Sequence, residues 1–252
     1  MTPQDPFQAE VVPSAPAVPV EQPSRWPFWD YQDLFIFVFL ALPCVFVAGI
    51  IVRGISAVVS LSLPLQELLV QLVWYVLVFS VLYALLHLRY RQPFWRSLGW
   101  APPFRDAHIA FIAGPFVAIA IAYLGYVIHP PAIQQPFRQT LADRPTIILF
   151  SIFAVAIGPL CEELAFRGFL MPLLVRSVGA APGIILTGVL FGSLHAPEYG
   201  WSWKHVSLIA AAGSVFGWVR YRTGSTAAST FMHSSYNLTQ LIGFLALGTH
   251  HD

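Results

Sequence analysis

Seven apolar runs, joined by short polar stretches, make up most of the chain after residue 30. A helix needs about 20 predominantly apolar residues to cross the hydrocarbon core of a bilayer. The fifth and sixth runs are shorter, so we expect them to be tilted, to extend into the flanking residues or to be partly re-entrant. The pattern predicts transmembrane helices near residues 34–52, 67–88, 107–128, 146–174, 182–195, 206–219 and 225–247.

The fold class that follows is all-α, a polytopic transmembrane helical bundle without a visible internal repeat. Residues 1–30 contain seven prolines and no helical period, which predicts a disordered, partly extended tail without a cleavable signal peptide. Residues 31–144 then form the N-terminal transmembrane helices, and residues 145–248 form the core with the motifs described below. Just before the first span, four aromatic residues resemble an interfacial belt: Trp26, Phe28, Trp29 and Tyr31.

Composition supports a membrane protein and argues against several other classes. Hydrophobic residues make up 57% of the 252 residues and charged residues only 10%, whereas soluble domains have about 25% charged residues. The mean hydropathy is +0.67. The net charge is +1 and no basic cluster is present, so we expect no nucleic-acid partner. Cys44 and Cys161 both lie in apolar runs and are expected to pack as small hydrophobic residues.

The distribution of arginines predicts how the bundle is oriented, because cytoplasmic loops are enriched in Lys and Arg. Four arginines fall in the second loop, one in the fourth and two in the sixth. These loops are therefore expected in the cytoplasm, with the N-terminus on the same side and the C-terminus outside. The residues are Arg89, Arg91, Arg96 and Arg105, then Arg176, then Arg220 and Arg222.

Three charged residues interrupt the fourth run: Glu162, Glu163 and Arg167. A charge near the bilayer centre costs ~3 kcal/mol, and such groups usually face a protein interior or a water-filled cavity. Glu163 and Arg167 are four residues apart, so on a helix they share a face and can pair. Glu162 points about 100° away from Glu163. One carboxylate can thus be neutralised while the other stays free for chemistry; a purely structural ion pair would not explain the second one.

Two further polar motifs lie in later runs. Phe191 and His195, near the end of the fifth run, are four residues apart, as are His233 and Asn237 in the seventh. With a rise of 1.5 Å per residue, Glu162, His195, His233 and Asn237 all lie roughly 12–20 Å from the same side. Three helices therefore bring a carboxylate, two imidazoles and an amide to similar depths.

This inventory suits the attack of water on an amide without a covalent intermediate. A desolvated glutamate can take a proton from water, and a neutral histidine can share that water. A second histidine and an asparagine amide can donate hydrogen bonds to a developing oxyanion. No H-E-x-x-H zinc motif, G-x-S-G serine site or G-x-G-D aspartyl site is present.

The three motifs resemble those of the CAAX prenyl endopeptidase family, also called the CPBP or Abi family of intramembrane glutamate proteases. E-E-x-x-x-R is matched by Glu162, Glu163 and Arg167. F-x-x-x-H is matched by Phe191 and His195, and H-x-x-x-N by His233 and Asn237. The similarity extends over about residues 145–240.

The resemblance implies helices packed around a water-accessible intramembrane cavity and, since eight spans are common in the family, about seven to eight spans here. By analogy, Glu162 and His195 activate water, His233 and Asn237 form the oxyanion hole, and Glu163, Arg167 and Phe191 support the site. It implies a metal-independent endopeptidase without a cofactor that acts on a membrane protein or a lipidated peptide. We expect it in a bacterial plasma membrane.

Two alternative interpretations stay open from the sequence. His195, His233 and Glu162 could instead be three ligands of a zinc ion, with water as the fourth. The chain could also be a non-proteolytic scaffold or a bacteriocin-immunity protein that retains the fold, although a scaffold has no need for a free glutamate.

Overall fold

The computed structural model of the protein describes residues 26–100, 106–131 and 144–248, and over these residues the chain forms helices and no strand. This confirms the all-α prediction; most of the predicted tail lies outside the described residues. The helices are α1 (Tyr31–Ser56), α2 (Leu63–Ala84, continued by a π turn over Leu85–Arg89), α3 (Phe94–Ser97), α4 (Ala107–Ile128), α5 (from Arg144–Ile152 to Met171–Val178), α6 (Ala180–Leu194), α7 (Trp203–Thr223) and α8 (Thr226–Gly248).

Each of the seven predicted spans corresponds to one helix, with α3 as an additional short helix. In the described part of the chain, four helices are both long and apolar enough to cross a membrane: Tyr31–Ser56, Leu63–Arg89, Ala107–Ile128 and Thr146–Val178. Helix α6 has only 15 residues. Helices α7 and α8, with 21 and 23 residues, are long enough but contain more polar side chains. Among the helices that match predicted spans in the described part of the chain, the three that are either too short or too polar all follow the charged motif.

The outer surface of the bundle is apolar, as a lipid-facing surface requires. Large hydrophobic side chains are exposed along α1 and α4, where water would make each of them costly. Patches of this extent on a protein mark contact with a membrane or with a partner. Examples are Phe35, Phe46, Ile50, Phe116 and Tyr126.

The N-terminal aromatic segment packs more deeply than the sequence suggests. Trp29, which we expected in an interfacial belt, is 0% exposed. Its ring stacks on Phe169 of α5 at 5.4 Å, and its indole N–H donates to the Phe169 carbonyl at 3.0 Å. Arg176 also donates to the carbonyl of Pro27. The interfacial interpretation is thus wrong for Trp29, which anchors the chain entry to the motif helix.

Glycines allow α6 and α7 to pack closely beneath the site. A Cβ atom on Gly188 would lie 2.6 Å from the Ala210 carbonyl oxygen, and one on Gly192 would lie 2.6 Å from the Val206 carbonyl oxygen. Small residues of this kind let membrane helices approach each other. Helix α7 also packs against α8 and α4, and α5 packs against α6 and α8. Helices α6 and α8 thus each pack against both α5 and α7.

Candidate active site

The two adjacent glutamates lie in an α5 segment that has a π turn on either side. Glu162 and Glu163 end the α-helical segment Gly158–Glu163, which lies between π turns over Phe153–Ile157 and Leu164–Leu170. Single π turns inside α-helices are rare and are frequently found at functional sites. Each π turn rotates the residues that follow it, so the helix presents these carboxylates differently from a regular α-helix.

Asn237 is held by the carbonyl group of Ala154, which has no backbone partner at residue 159 because that residue is a proline. In the first π turn, the Gly158 N–H donates to the carbonyl of Phe153, five residues back. The same pattern would give the Ala154 carbonyl the N–H of residue 159, but proline has none. Asn237 Nδ2 donates to the Ala154 carbonyl instead, at 2.7 Å. The second N–H of the amide is left for another acceptor.

Glu163 and Arg167 form the ion pair that their spacing predicts. Arg167 Nη1 donates to Glu163 Oε1 at 2.9 Å, and both side chains are 0% exposed. Arg167 Nη2 donates to the carbonyl of Gly213 on α7 at 2.7 Å. Burying either charge alone would cost several kcal/mol, so each group requires the other. The pair also fixes α5 against α7.

Aromatic rings surround the guanidinium and explain the phenylalanine of the second motif. Arg167 Cζ lies 4.6 Å from the ring centre of Phe191, 5.8 Å from that of Phe166 and 5.7 Å from that of Phe216. These distances are within the range of cation–π attraction. A Cβ atom on Gly213 would lie 3.0 Å from both Arg167 and Phe191. Glycine at this position thus leaves room for the cation and its aromatic enclosure.

His233 connects the two glutamates. Its Nδ1 is 3.0 Å from Glu163 Oε1, and its Nε2 is 3.8 Å from Glu162 Oε2. The ring stacks on Phe216 at 4.6 Å and meets the edge of Phe191 at 5.8 Å. An ionised carboxylate only accepts hydrogen bonds, so Nδ1 carries the proton that is donated to Glu163. Nε2 is then the nitrogen that faces Glu162.

Glu162 differs from its neighbour in being partly exposed. Its side chain is 22% exposed, against 0% for Glu163. Its Oε2 faces His233, and its Oε1 accepts a long hydrogen bond of 3.5 Å from the hydroxyl of Tyr75 on α2. Glu162 is therefore the carboxylate that is accessible to a reactant.

His195 follows the last residue of α6 and is oriented by its own helix. Its Nδ1 is 2.8 Å from the carbonyl of Phe191, one turn earlier. A carbonyl can only accept, so Nδ1 carries a proton, and in the neutral ring Nε2 presents the free lone pair. The imidazole also packs against the Phe191 ring at 4.7 Å. The F-x-x-x-H motif thus fixes both the orientation and the tautomer of its histidine.

The residues named from the sequence assemble to different degrees. Glu162, Glu163, Arg167, Phe191 and His233 form one contiguous contact group. His195 reaches that group through the Phe191 ring. Asn237 lies one helical turn beyond His233 and is bonded to the backbone of α5.

Three residues at the site were missed by sequence reasoning. Tyr75 and Gln71 are polar residues four apart in the second apolar run, a signal like those of the recognised motifs. Glu198, three residues after His195, lies close enough to His195 and Glu162 to interact with both charges. Partial removal from water raises the pKa of Glu198; His195 opposes the rise and Glu162 adds to it. It could have been noticed only by its closeness in sequence to His195.

The arrangement of His, Cys, Asp and Glu side chains bears on the zinc alternative. In the part of the chain that the structure describes, no three His, Cys, Asp or Glu side chains come together as a set that could hold a metal ion. The interpretation of His195, His233 and Glu162 as zinc ligands therefore has no geometric support in this arrangement.

Comparison with known proteins gives one match, which covers the region of the three motifs. Residues 144–239 match the family described as Type II CAAX prenyl endopeptidase Rce1-like. This confirms the family resemblance over α5, α6, α7 and the first part of α8, and indicates an intramembrane endopeptidase. Neither the curated proteins nor the solved structures include a match to the chain.

Proposed function

We propose, with this family match as the premise, that the protein is an intramembrane glutamate endopeptidase that uses water activated by Glu162 and His195 and needs no metal ion. The observation that supports this most directly is the contrast between two adjacent carboxylates. Glu163 is fully buried and paired, while Glu162 is partly exposed beside His233 and Tyr75. A structural role accounts for Glu163 but leaves Glu162 unexplained.

In the proposed reaction, a water molecule attacks the carbonyl carbon of the scissile amide while Glu162 takes one of its protons. His195 accepts the other hydrogen bond of that water through the free lone pair of Nε2. A C–O bond forms and the carbonyl oxygen becomes an oxyanion. The tetrahedral intermediate collapses when the C–N bond breaks and the proton passes from Glu162 to the leaving amine.

Asn237 and His233 are proposed to stabilise the oxyanion. Asn237 has one N–H to offer besides the one bonded to Ala154. His233 donates from Nδ1 to Glu163, so donation from Nε2 requires the imidazolium form, which carries protons on both nitrogens. A preorganised donor of this kind is worth roughly 10²–10³ in kcat.

The substrate proposed is a membrane protein or a lipidated peptide. A pocket of about 470 Å³ lies between α2, α3 and α5, and its walls include Tyr75 and Cys161, which are neighbours of Glu162. Its walls are almost entirely apolar, which suits an apolar side chain or a lipid chain close to the scissile bond. Lining residues include Leu72, Tyr75, Phe79, Phe94, Leu160 and Cys161.

The location proposed is a bacterial plasma membrane, with the N-terminus in the cytoplasm. The apolar exterior and the four long apolar helices make the chain an integral membrane protein. The excess of arginine in alternate loops supports this orientation.

The decisive experiment replaces the free carboxylate and leaves its shape unchanged. Membrane peptides from cells with the wild-type protein and with Glu162→Ala are compared first, to identify a substrate. Cleavage of that substrate in liposomes is then measured for Glu162→Gln, where we expect kcat to fall by at least ~10²–10⁴, the contribution of general-base catalysis. The melting temperature should stay near the wild-type value.

Glu67→Gln is the matched control, because Glu67 is exposed at the start of α2. This variant should cleave the substrate at the wild-type rate. Chelators should leave the wild-type rate unchanged. Wild-type cleavage by Glu162→Gln would show that Glu162 is not the base, and loss of activity with chelator would restore the metal hypothesis.

A further inference from the structure

A short chain of hydrogen bonds reaches Glu162 from outside the segment that matches the family. Gln71 and Tyr75 are one turn apart on α2, and Gln71 Nε2 lies 3.4 Å from the Tyr75 hydroxyl. That hydroxyl lies 3.5 Å from Glu162 Oε1. Helix α2 therefore contributes directly to the surroundings of the candidate base.

The direction of these hydrogen bonds follows from what each group can do. An amide NH₂ only donates, and an ionised carboxylate only accepts. The Tyr75 oxygen thus accepts from Gln71, and its single proton is donated to Glu162. The bond to Glu162 is long, at 3.5 Å, a length that catalytic hydrogen bonds often have before substrate binds.

Packing leaves the tyrosine ring little freedom. Tyr75 is only 9% exposed, and its ring stacks on Phe153 with centres 5.8 Å apart and an interplanar angle of 12°. Phe153 begins the π turn that precedes the two glutamates. The adjacent Trp74 donates to the carbonyl of Ala41 at 3.0 Å, which ties α2 to α1. The hydroxyl is therefore held at a fixed place beside α5.

The two oxygens of Glu162 face different partners as a result. Oε1 is directed to Tyr75, and Oε2 is directed to Nε2 of His233 at 3.8 Å. A carboxylate at the end of a flexible side chain would otherwise rotate freely, and a base must meet its proton in a defined geometry.

We propose that Tyr75, oriented by Gln71, is a positioning residue that holds Glu162 by Oε1 and leaves Oε2 to take the proton from water. This inference rests on the proposed function, since it presupposes that Glu162 is the base. It assigns part of the active site to the N-terminal half of the chain, outside residues 144–239.

Tyr75→Phe tests the inference because it removes the hydroxyl and keeps the stacked ring. Loss of one hydrogen bond to a charged group should lower kcat roughly 10-fold to 100-fold. KM and the melting temperature should stay near their wild-type values. The acid limb of the pH profile of kcat should move to higher pH, because the ionised carboxylate has lost a donor.

Two matched variants separate positioning from packing. Tyr123→Phe makes the same change on α4, where the tyrosine is 69% exposed, and should leave kcat and the pH profile unchanged. Gln71→Leu should lower kcat less than Tyr75→Phe does, because the tyrosine loses orientation and keeps its proton.

The outcomes distinguish this inference from the proposed function. An unchanged kcat and pH profile for Tyr75→Phe, together with an inactive Glu162→Gln, would overturn the positioning role alone. A lower melting temperature with an unmoved pH profile would also overturn it, in favour of packing. Wild-type activity of Glu162→Gln would remove the premise and with it the proposed function.

Discussion

In the part of the chain that the structure describes, two buried carboxylates pair with arginine, and the pairs differ in what surrounds them. Asp33 near the start of α1 pairs with Arg89 at 2.9 Å, and Glu163 in α5 pairs with Arg167 at 2.9 Å. Both carboxylates are 0% exposed. Arg89, however, is 42% exposed, whereas Arg167 is 0% exposed.

The contacts of Asp33 with Arg89, Tyr90 and the Asp30 N–H are those of a structural element. Asp33 accepts the backbone N–H of Asp30 in a capping box that starts α1, and it also accepts the hydroxyl of Tyr90. Partial burial and the bond to Asp33 raise the pKa of Tyr90, so this phenol stays protonated and donating at neutral pH. The cluster joins the ends of α1 and α2.

The Glu163 cluster contains a second acid that packing does not explain. Glu162 is adjacent in sequence, and it is 22% exposed beside His233. The comparison teaches that a buried ion pair alone indicates structure, whereas a buried pair with a partly exposed carboxylate next to it supports the proposed chemistry. Three predictions test this distinction, beginning with the largest expected effect.

Arg167→Ala should lower the free energy of unfolding by ~3–5 kcal/mol, because it leaves Glu163 buried and uncompensated. Thermal melting in detergent, together with the expression level, measures this loss. Arg167→Lys keeps the charge but not the two-sided hydrogen bonding, so it should give an intermediate value. Normal folding with only activity lost would show instead that Arg167 contacts the substrate.

Asn237→Ala should lower kcat by roughly 10²–10³, the value of one oxyanion donor, with substrate binding retained. The measurement is cleavage in liposomes beside a binding assay. Gln240→Ala is the control, since that amide is exposed on the same helix and should behave as wild type. An unchanged kcat would mean that Asn237 has only a structural role, through its hydrogen bond to the Ala154 carbonyl.

Arg89→Ala should have the smallest effect, a loss of only ~0.2–1 kcal/mol, because the ion pair of the partly exposed guanidinium is weakened by water and salt. Asp33 also keeps the hydrogen bonds from the Asp30 N–H and the Tyr90 hydroxyl, so its carboxylate is not left without donors. The difference from wild type should shrink further as salt is added. Catalytic activity should not change. A loss as large as that of Arg167→Ala would mean that the two clusters are equivalent, and exposure would then not separate their roles.

The sequence alone determined where the helices lie and which polar residues share a face. Spacing of four residues predicted the Glu163–Arg167 pair, and the structure contains it at 2.9 Å. It also placed His195 one turn from Phe191, where the ring now contacts the phenylalanine. These relations follow from the 3.6-residue period of a helix and do not depend on its neighbours.

Tertiary structure decided which of these faces meet. The contact of His233 with Glu163 joins residues 70 positions apart, and that of Tyr75 with Glu162 joins residues 87 apart. The burial of Trp29 against Phe169 and the bond from Asn237 to the Ala154 carbonyl are likewise contacts between distant segments. Helical periodicity fixes directions within one helix only, so the partner of each polar face was set by how α2, α5 and α8 pack around one another.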